Sequence, residues 1–321
     1  MSSPSTILRL EIRSVREEAE GIRSFDLRPS SGEDLPAFTA GAHIDVDLPN
    51  GIVRSYSLVN GQGERHRYVI AVNRDGASRG GSSFMHDRLR VGDTVTVRAP
   101  RNNFPLEESA EKSLLIAGGI GITPLWCMIQ RLAELGRPWE LYYCARTPKH
   151  AAFTAALGAL ASPTGKIHFN FDQVPGGRML DLAAIVGAAT RGTHLYCCGP
   201  LPMLKSFELA CGGRPPETVH LEYFSASEPT PAAGGFTVVL KRSGKSLFIK
   251  RGQSILEALL DLDVDVDFSC QEGVCGTCAT TVLEGIPDHR DSVLTAAERN
   301  SNGKMMICCS GARTDTLVLD I

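Results

Sequence analysis

Residues 270–282 read CQEGVCGTCATTV, so three of the chain's ten cysteines fall within nine residues, with Gly273 and Gly276 between them. Thiols this close confine the stretch to a loop that wraps whatever they hold, and glycine lets backbone approach closely. The other cysteines sharpen the point. None precedes Cys127, and the next four are scattered at Cys144, Cys197, Cys198 and Cys211. Half of the ten stand at Cys270, Cys275, Cys278, Cys308 and Cys309. Such clustering favours a metal site over a disulfide framework. With 321 residues the chain has room for several cores and needs no disulfide staples.

That length predicts two or three domains. The composition, 43% hydrophobic and 21% charged, is that of a soluble globular protein. The net charge of −3 argues against nucleic acid as the main partner. No apolar run reaches the ~18 residues of a membrane span. The N-terminus, MSSPSTILRLEIRS, has no apolar signal core, so the expected location is cytoplasmic, with no membrane partner.

Three regions have different periods. From about 6 to 104, short alternating segments such as HIDVDLPNG, RYVIAV and DTVTVRAP are broken by turn residues, with one helical pattern, SSFMHDRL. They predict an antiparallel barrel or sandwich. From about 112, apolar strands (SLLIAGG, ELYYCAR, KIHFNF, THLYCCGP, TVHLEYF) alternate with helical stretches (TPLWCMIQRLAELG, AAFTAALGALA, MLDLAAIVGAA, LPMLKSFELACGG). That alternation predicts a parallel sheet with helices on both faces. ASEPTPAAGG (226–235) reads as a linker. Beyond it, a hairpin, the helix SILEALLDLDV, the cysteine loop and two closing strands within KMMICCSGARTDTLVLDI predict a small α+β module.

Zinc sites usually gather two short Cys or His pairs on separate knuckles. Here three ligands share one loop and the fourth is single and 30 residues on, which is the C-x4-C-x2-C…C spacing of a plant-type [2Fe-2S] site. Four thiolates hold the two irons, and the glycines bring backbone N–H groups toward the sulfurs. The fourth ligand is Cys308 or Cys309. Alternation along a strand sends adjacent side chains to opposite faces, so one of the two ligates, and spacing does not say which.

AGGIGITP (117–124) joins a strand to a helix, a place where backbone meets a pyrophosphate. Gly119 and Gly121 fit a dinucleotide turn, but Pro124 stands where a third glycine is usual. The acid expected at the end of the second strand is missing, since that strand ends Cys144-Ala145-Arg146. CCGPLPM (197–203) is a second strand-to-helix turn at the ligand-binding end of the sheet. In the first region, RSYS (54–57) puts Arg54 and Tyr56 on one face and Ser55 and Ser57 on the other. RGGSS (79–83) opens a short helix and offers a phosphate cradle.

Taken together, these motifs resemble the ferredoxin–NADP reductase superfamily with a plant-type ferredoxin at the C-terminus, in the phthalate dioxygenase reductase arrangement. RSYS matches its flavin motif, RGGSS its flavin phosphate loop, GGIGITP and CCGP its nicotinamide motifs, and EYF (222–224) the end of its reductase part. DHRD (288–291) and the VLDI terminus also fit. The resemblance implies a multidomain protein. It has an antiparallel β-barrel FMN-binding domain (1–105), an α/β parallel-sheet NAD-binding domain (106–225), the linker 226–235 and an α+β, β-grasp-like ferredoxin domain (236–321). It implies Cys270, Cys275, Cys278 and Cys308 as cluster ligands, because the family's last cysteine is followed by one variable residue and a serine, as in Cys308-Cys309-Ser310.

The same resemblance assigns Arg54, Ser55, Tyr56 and Ser57 to the flavin ring and its chain, and Arg79, Gly80, Gly81 and Ser82 to the FMN phosphate, with Thr123 nearby. Gly118, Gly119, Gly121 and Pro124 shape the pyrophosphate site. Gly199 and Pro200 follow Cys198, the catalytic residue beside the nicotinamide, and Phe224 guards the flavin.

The implied activity is an electron relay from NADH through FMN and the cluster to a terminal Rieske-type oxygenase acting on an aromatic or similar small substrate. The alternative is a stand-alone redox enzyme or sensor that reduces a small molecule. NADH is preferred over NADPH in this reading because Arg146 is the lone cation at the strand end where a 2′-phosphate needs pairing. Residues 226–321 carry nine Lys/Arg against thirteen Asp/Glu, and DLDVDVD (261–267) directly precedes the cysteine loop. An acidic docking face toward the oxygenase is therefore expected.

Overall fold

The alternating segments at the start of the chain close on themselves. In the computed structural model, which describes residues 6–49, 51–76, 80–224 and 235–321, β1 (Ile7–Ala19), β2 (Ile22–Pro29), β3 (His43–Asp47), β4 (Val53–Ser57), β5 (Tyr68–Asn73) and β6 (Thr94–Arg98) form one antiparallel sheet. Its order is β4-β3-β6-β1-β2-β5. A bridge between Leu58 and Ile70, with the Val59 N–H donating to the Val69 carbonyl at 2.8 Å, brings the two edge strands together and makes the sheet a barrel. Every second residue faces its core, as with Leu10 and Ile12, Phe25 and Leu27, Ile44 and Val46. Helix α1 (Gly81–Asp87) joins β5 to β6.

The period change near residue 112 marks a second layer. Strands β7 (Lys112–Gly118), β8 (Trp139–Ala145), β9 (Gly165–Phe171), β10 (Thr193–Cys198) and β11 (Val219–Glu222) pair in parallel in the order β11-β10-β7-β8-β9. Helices α2 (Ile122–Glu134), α3 (Thr154–Ala159), α4 (Leu182–Ala188) and α5 (Leu201–Ala210) connect them. The order turns back between β7 and β10, which is where such sheets leave a crevice at their carboxyl ends.

Helix α2 holds the barrel to this sheet. Its apolar face (Ile122, Leu125, Met128, Ile129, Leu132) is buried. From the same helix Cys127 Sγ donates to the Asn60 carbonyl at 3.2 Å and Gln130 Nε2 to the Val59 carbonyl at 2.8 Å. Arg131 grips both oxygens of Glu108 at 2.8 and 2.9 Å. One continuous core runs from Leu10 in the barrel to Cys198 in the parallel sheet, so the two regions form a single compact unit, Met1–Glu222.

The second unit, Tyr223–Ile321, is a mixed sheet ordered β13-β12-β18-β14-β16. Its elements are β12 (Phe236–Leu240), β13 (Ser246–Ile249), α6 (Ile255–Leu260), β14 (Ala279–Glu284), β15 (Pro287–Asp288), α7 (Ala296–Ser301), β16 (Lys304–Met306), β17 (Gly311–Ala312) and β18 (Thr316–Leu319). Helix α6 starts on a capping box, in which Ser254 and Glu257 satisfy each other's backbone N–H groups. Its Leu256 and Leu259 pack against Val238, Leu240, Leu317 and Leu319 of the sheet. The segment read as two closing strands forms three short ones, because the chain turns at Ile307–Cys309 to carry Cys308 back to the loop. The expected linker lies almost wholly outside the described residues. No described helix is long and apolar enough to cross a membrane.

Candidate redox-cofactor sites

At the switch point the carboxyl ends of β7 and β10, Gly118 and Cys198, lie side by side. Gly119–Gly121 makes one tight turn into α2, which has no side-chain cap and no acidic residue in its first turn. The Ile122 N–H already donates to the Gly119 and Ile120 carbonyls, so an anion is left the N–H groups of the turn before it. A Cβ on Gly121 would stand 2.1 Å from the Cys198 carbonyl oxygen, and one on Gly118 would stand 2.6 Å from Pro200 Cδ. The two turns interlock only because these positions are glycine, and Gly199 lies in the same contact. Thr123 is buried and donates its hydroxyl to the Ile120 carbonyl at 2.9 Å, and Pro124 is buried in the same helical turn. Both shape the turn itself.

Cys198 is fully buried, with Sγ 4.0 Å from Glu222 Oε2 on the neighbouring strand. Burial first, and the carboxylate second, raise its thiol well above the usual range. Burial likewise pushes the half-buried Glu222 carboxyl up to about 8. Near neutral pH this corner of the sheet is uncharged. In the sequence Glu222 stands within EYF with nothing beside it to suggest a role. The partner acid of Cys198 is visible only once β10 and β11 are known to pair Cys198 with Glu222.

A second missed residue is Asp172, which follows β9. Its N–H reaches the Ala145 carbonyl at 3.4 Å, and the next N–H, of Gln173, reaches the Arg146 carbonyl at 2.9 Å. The exposed Asp172 carboxylate therefore sits beside the end of β8 and, after burial, is the next cause pushing the Cys144 thiol up to about 11. The strand after β8 therefore brings a carboxylate to the place where β8 itself ends without one.

In the barrel, Arg54 and Tyr56 share the face of Val46 and Ile44, while Ser55 and Ser57 share that of Asp45 and His43. Gly81 packs on Arg54, whose Cγ would be 2.9 Å from a Cβ there, so the RSYS strand and the glycine turn meet. Gly80 takes φ 92 at the start of α1, and Ser82 Oγ accepts from the Asp75 N–H at 3.2 Å. Arg79 lies outside the described residues. Ser57 Oγ is buried with no hydrogen-bond partner among the described residues, so the strand keeps one hydroxyl for a bound group. Ser55 is committed elsewhere: its Oγ donates to Asp45 Oδ1 at 2.6 Å, and Arg101 donates to Oδ2 at 2.6 Å. The buried Asp45 carboxylate thus anchors β4 from behind. Phe224 belongs to the second unit and is 40% exposed.

The cysteine loop winds through left-handed backbone at Gln271, Gly273 and Gly276. The Glu272 N–H donates to Cys270 Sγ at 3.3 Å, the Cys270 N–H to Cys275 Sγ at 3.5 Å, and the Thr277 hydroxyl lies 3.1 Å from Cys275 Sγ. The thiols meet in twos. The hydrogen bond from Cys270 brings Cys275 down to about 5, and Cys278 is raised first by its hydrogen bond with Cys308 and then by burial. Among the described residues no three His, Cys, Asp or Glu side chains are grouped to hold one metal ion. Two thiol pairs fit a two-iron cluster, whereas zinc would draw all four to one point. Cys308 also meets the thiol of Cys309, but Cys309 turns toward the Met306 carbonyl at 3.8 Å and would touch a Gly273 Cβ at 2.5 Å. The two adjacent cysteines diverge within a turn, not by strand alternation.

Two outcomes follow. Cys308→Ser loses the visible iron–sulfur absorbance of the purified protein and Cys309→Ser keeps it, and the reverse result would exchange their roles. The folded chain holds the Glu222 proton up to about 8, while an ordinary glutamate releases it near 4.5. The folded state thus binds the extra proton between those values, so this group's contribution to stability falls as pH rises from about 4.5 to about 8. Glu222→Gln removes that fall. Urea midpoints measured across this range in both proteins check it, and an equal decline in the variant would contradict it.

A profile of the 2Fe-2S iron–sulfur cluster binding domain matches residues 238–313, and one of the oxidoreductase NAD-binding domain matches residues 115–208. The chain is 51% identical over 323 residues to phenoxybenzoate dioxygenase subunit beta of Ectopseudomonas oleovorans, covering 100% of both. It is 49% identical over 324 residues to tetrachlorobenzoquinone reductase of Sphingobium chlorophenolicum, again covering 100% of both. The solved structure of phthalate dioxygenase reductase, described as modular for electron transfer from pyridine nucleotides to 2Fe-2S, matches with a TM-score of 0.73 at 42% identity over 98% of each chain. Similarity of this extent along the whole chain places it in the phthalate dioxygenase reductase family of flavin-dependent iron–sulfur oxidoreductases.

Proposed function

We propose that the chain is the reductase of a two-component oxygenase system, taking electrons from NADH and delivering them singly through FMN and a 2Fe-2S cluster to the oxygenase. The observation that carries this reading is the presence in one chain of a nicotinamide-type crevice at Cys198 and a separate loop of two thiol pairs. When bound, a flavin accepts an electron pair and releases it one electron at a time, which joins a hydride donor to a one-electron centre. The rest is positioning. Arg54 and Tyr56 on one face of β4, with the unpaired hydroxyl of Ser57 at the strand's end on the other, hold the flavin, Gly80 and Gly81 make room for its phosphate, and the turn from Gly118 to Gly121 receives the dinucleotide pyrophosphate. The uncharged pair Cys198 and Glu222 borders the nicotinamide and leaves no fixed carboxylate there to hold the positive, oxidised ring after hydride transfer. Cys270, Cys275, Cys278 and Cys308 hold the cluster.

Asp172 is the carboxylate for the adenosine ribose. It accepts from a 2′-hydroxyl and repels a 2′-phosphate. In the second unit Asp263, Asp265 and Asp267 are exposed while Val264, Val266 and Phe268 pack inward, giving a row of carboxylates that leads to the cysteine loop. That row is the docking edge for a basic patch on the oxygenase. Relatives named as dioxygenase and demethylase components support a protein acceptor, while the tetrachlorobenzoquinone reductase supports a second reading with a small quinone acceptor.

The pure protein is expected to show flavin and iron–sulfur bands that both bleach with NADH, and colourless protein would end the reading. Asp172→Ser lowers the NADH-over-NADPH preference in kcat/KM by roughly tenfold, the worth of one lost like-charge contact; an unchanged ratio would remove Asp172 from the ribose site. Reduction of the oxygenase slows as ionic strength rises, and it slows less when Asp263 and Asp265 are changed to Asn. A salt-independent rate in the unaltered protein contradicts docking by charge, and a faster, salt-independent reduction of quinones would favour the small acceptor.

A further inference from the structure

The second unit concentrates unpaired buried polar atoms in one place. The His289 side chain is 9% exposed, and neither ring nitrogen makes a hydrogen bond of full geometry among the described residues, although the Arg299 backbone approaches the ring. Asp291 is fully buried. Its Oδ2 accepts from the N–H groups of Val293 at 3.1 Å and Leu294 at 2.8 Å, while Oδ1 is unpaired and lies 3.9 Å from His289 Nδ1. Ser292 Oγ and Arg299 Nε are also buried without partners. Native interiors leave few such atoms in a hundred residues, so a group of them within eleven residues calls for a reason other than packing.

Their position supplies one. The backbone of this segment lies against the cysteine loop: a Cβ on Gly273, between Cys270 and Cys275, would be 3.1 Å from Asp291 Cα, and the Ser292 N–H donates to the Gly273 carbonyl at 2.9 Å. On the other side, the Arg290 N–H donates to Ser310 Oγ at 3.3 Å, two residues from Cys308. Residues 289–292 thus bridge the two parts of the loop.

We propose that His289 is a proton-binding site coupled to the iron–sulfur centre. When one electron enters the cluster from the flavin, one proton passes from solvent to a His289 ring nitrogen and is held beside Asp291; when the electron leaves, the proton returns to solvent. This rests on the reading that the loop carries the cluster. Burial and the facing groups together hold the ring below its usual value, so it is neutral until negative charge arrives nearby. Burial, Arg299 of α7 and Arg313 after β17 oppose the charged form, while Asp291 and the Arg299 backbone favour it. Arg313 also pairs with Asp288 at 3.5 Å, as Arg290 does at 2.8 Å. A unit charge added ~10 Å away in a medium of effective dielectric ~20 shifts such a group by about one pKa unit, which opposes that lowering.

The test is a potentiometric titration of the full-length protein, read from the cluster's EPR signal between about pH 5.5 and 8.5. The cluster becomes harder to reduce as pH rises, its reduced-to-oxidised ratio at fixed potential falling about tenfold in total before levelling. His289→Gln gives a flat profile with the same EPR line shape. Arg313→Gln, which removes an exposed opposing cation, moves the sloping window to higher pH. A flat profile in the unaltered protein, an unchanged slope in His289→Gln or an unmoved window in Arg313→Gln overturns the proposal. Absence of any EPR signal instead overturns the cluster reading on which it rests.

Discussion

At Gly121 the chain has no room for a side chain, because the Cys198 carbonyl oxygen lies 2.1 Å from where a Cβ would be. The nucleotide crevice depends on that contact. It locks the turn after β7 to the turn after β10, and so fixes Cys198, Glu222 and the start of α2 against one another. The cluster loop repeats the device. Gly273 is pinched between Cys309 Sγ and the backbone of Asp291, and this joint ties the loop to the strand end that brings Cys308. In both places glycine serves close backbone approach, and the chemistry-bearing side chains are carried by what it brings together.

The two ends of the relay handle charge differently. The nicotinamide corner is kept neutral: burial holds protons on Cys198 and Glu222. The cluster end is surrounded by charge, with the acidic row before the loop and Asp288, Arg290, Asp291, Arg299 and Arg313 behind it. A hydride carries one net negative charge and leaves a positive nicotinamide ring, and the neutral corner offers that ring no ion pair to hold the oxidised nucleotide. A one-electron centre gains bare charge on each cycle, and its surroundings must accommodate it. The barrel serves this scheme by rigidity: the buried Asp45, held by the half-buried Arg101 and Ser55, fixes β4 so that its other residues are free to bind.

The sequence carried most of this architecture in its periods, since alternation of two marked the barrel and strand–helix alternation the parallel sheet. The kind of domain at the C-terminus was legible because the spacing of Cys270, Cys275 and Cys278 is itself the chemistry. The rest depended on pairing between distant segments. Cys308 and Cys309 were distinguished by family pattern alone, and strand alternation was the wrong argument because the chain turns there. Glu222 acquires a role only through the register of β10 with β11. Asp172 was overlooked because the acid was sought one strand too early. Ser55 was grouped with the flavin contacts by motif, although its hydroxyl is spent on Asp45.

The account stands on a single claim, that one chain takes electrons in pairs and releases them one at a time. Anaerobic titration of the pure protein with NADH measures this directly through the electrons taken up before bleaching is complete. The account predicts about three per chain, two in the flavin and one in the cluster. Uptake that stops at about two, with the iron–sulfur absorbance unchanged, would contradict it.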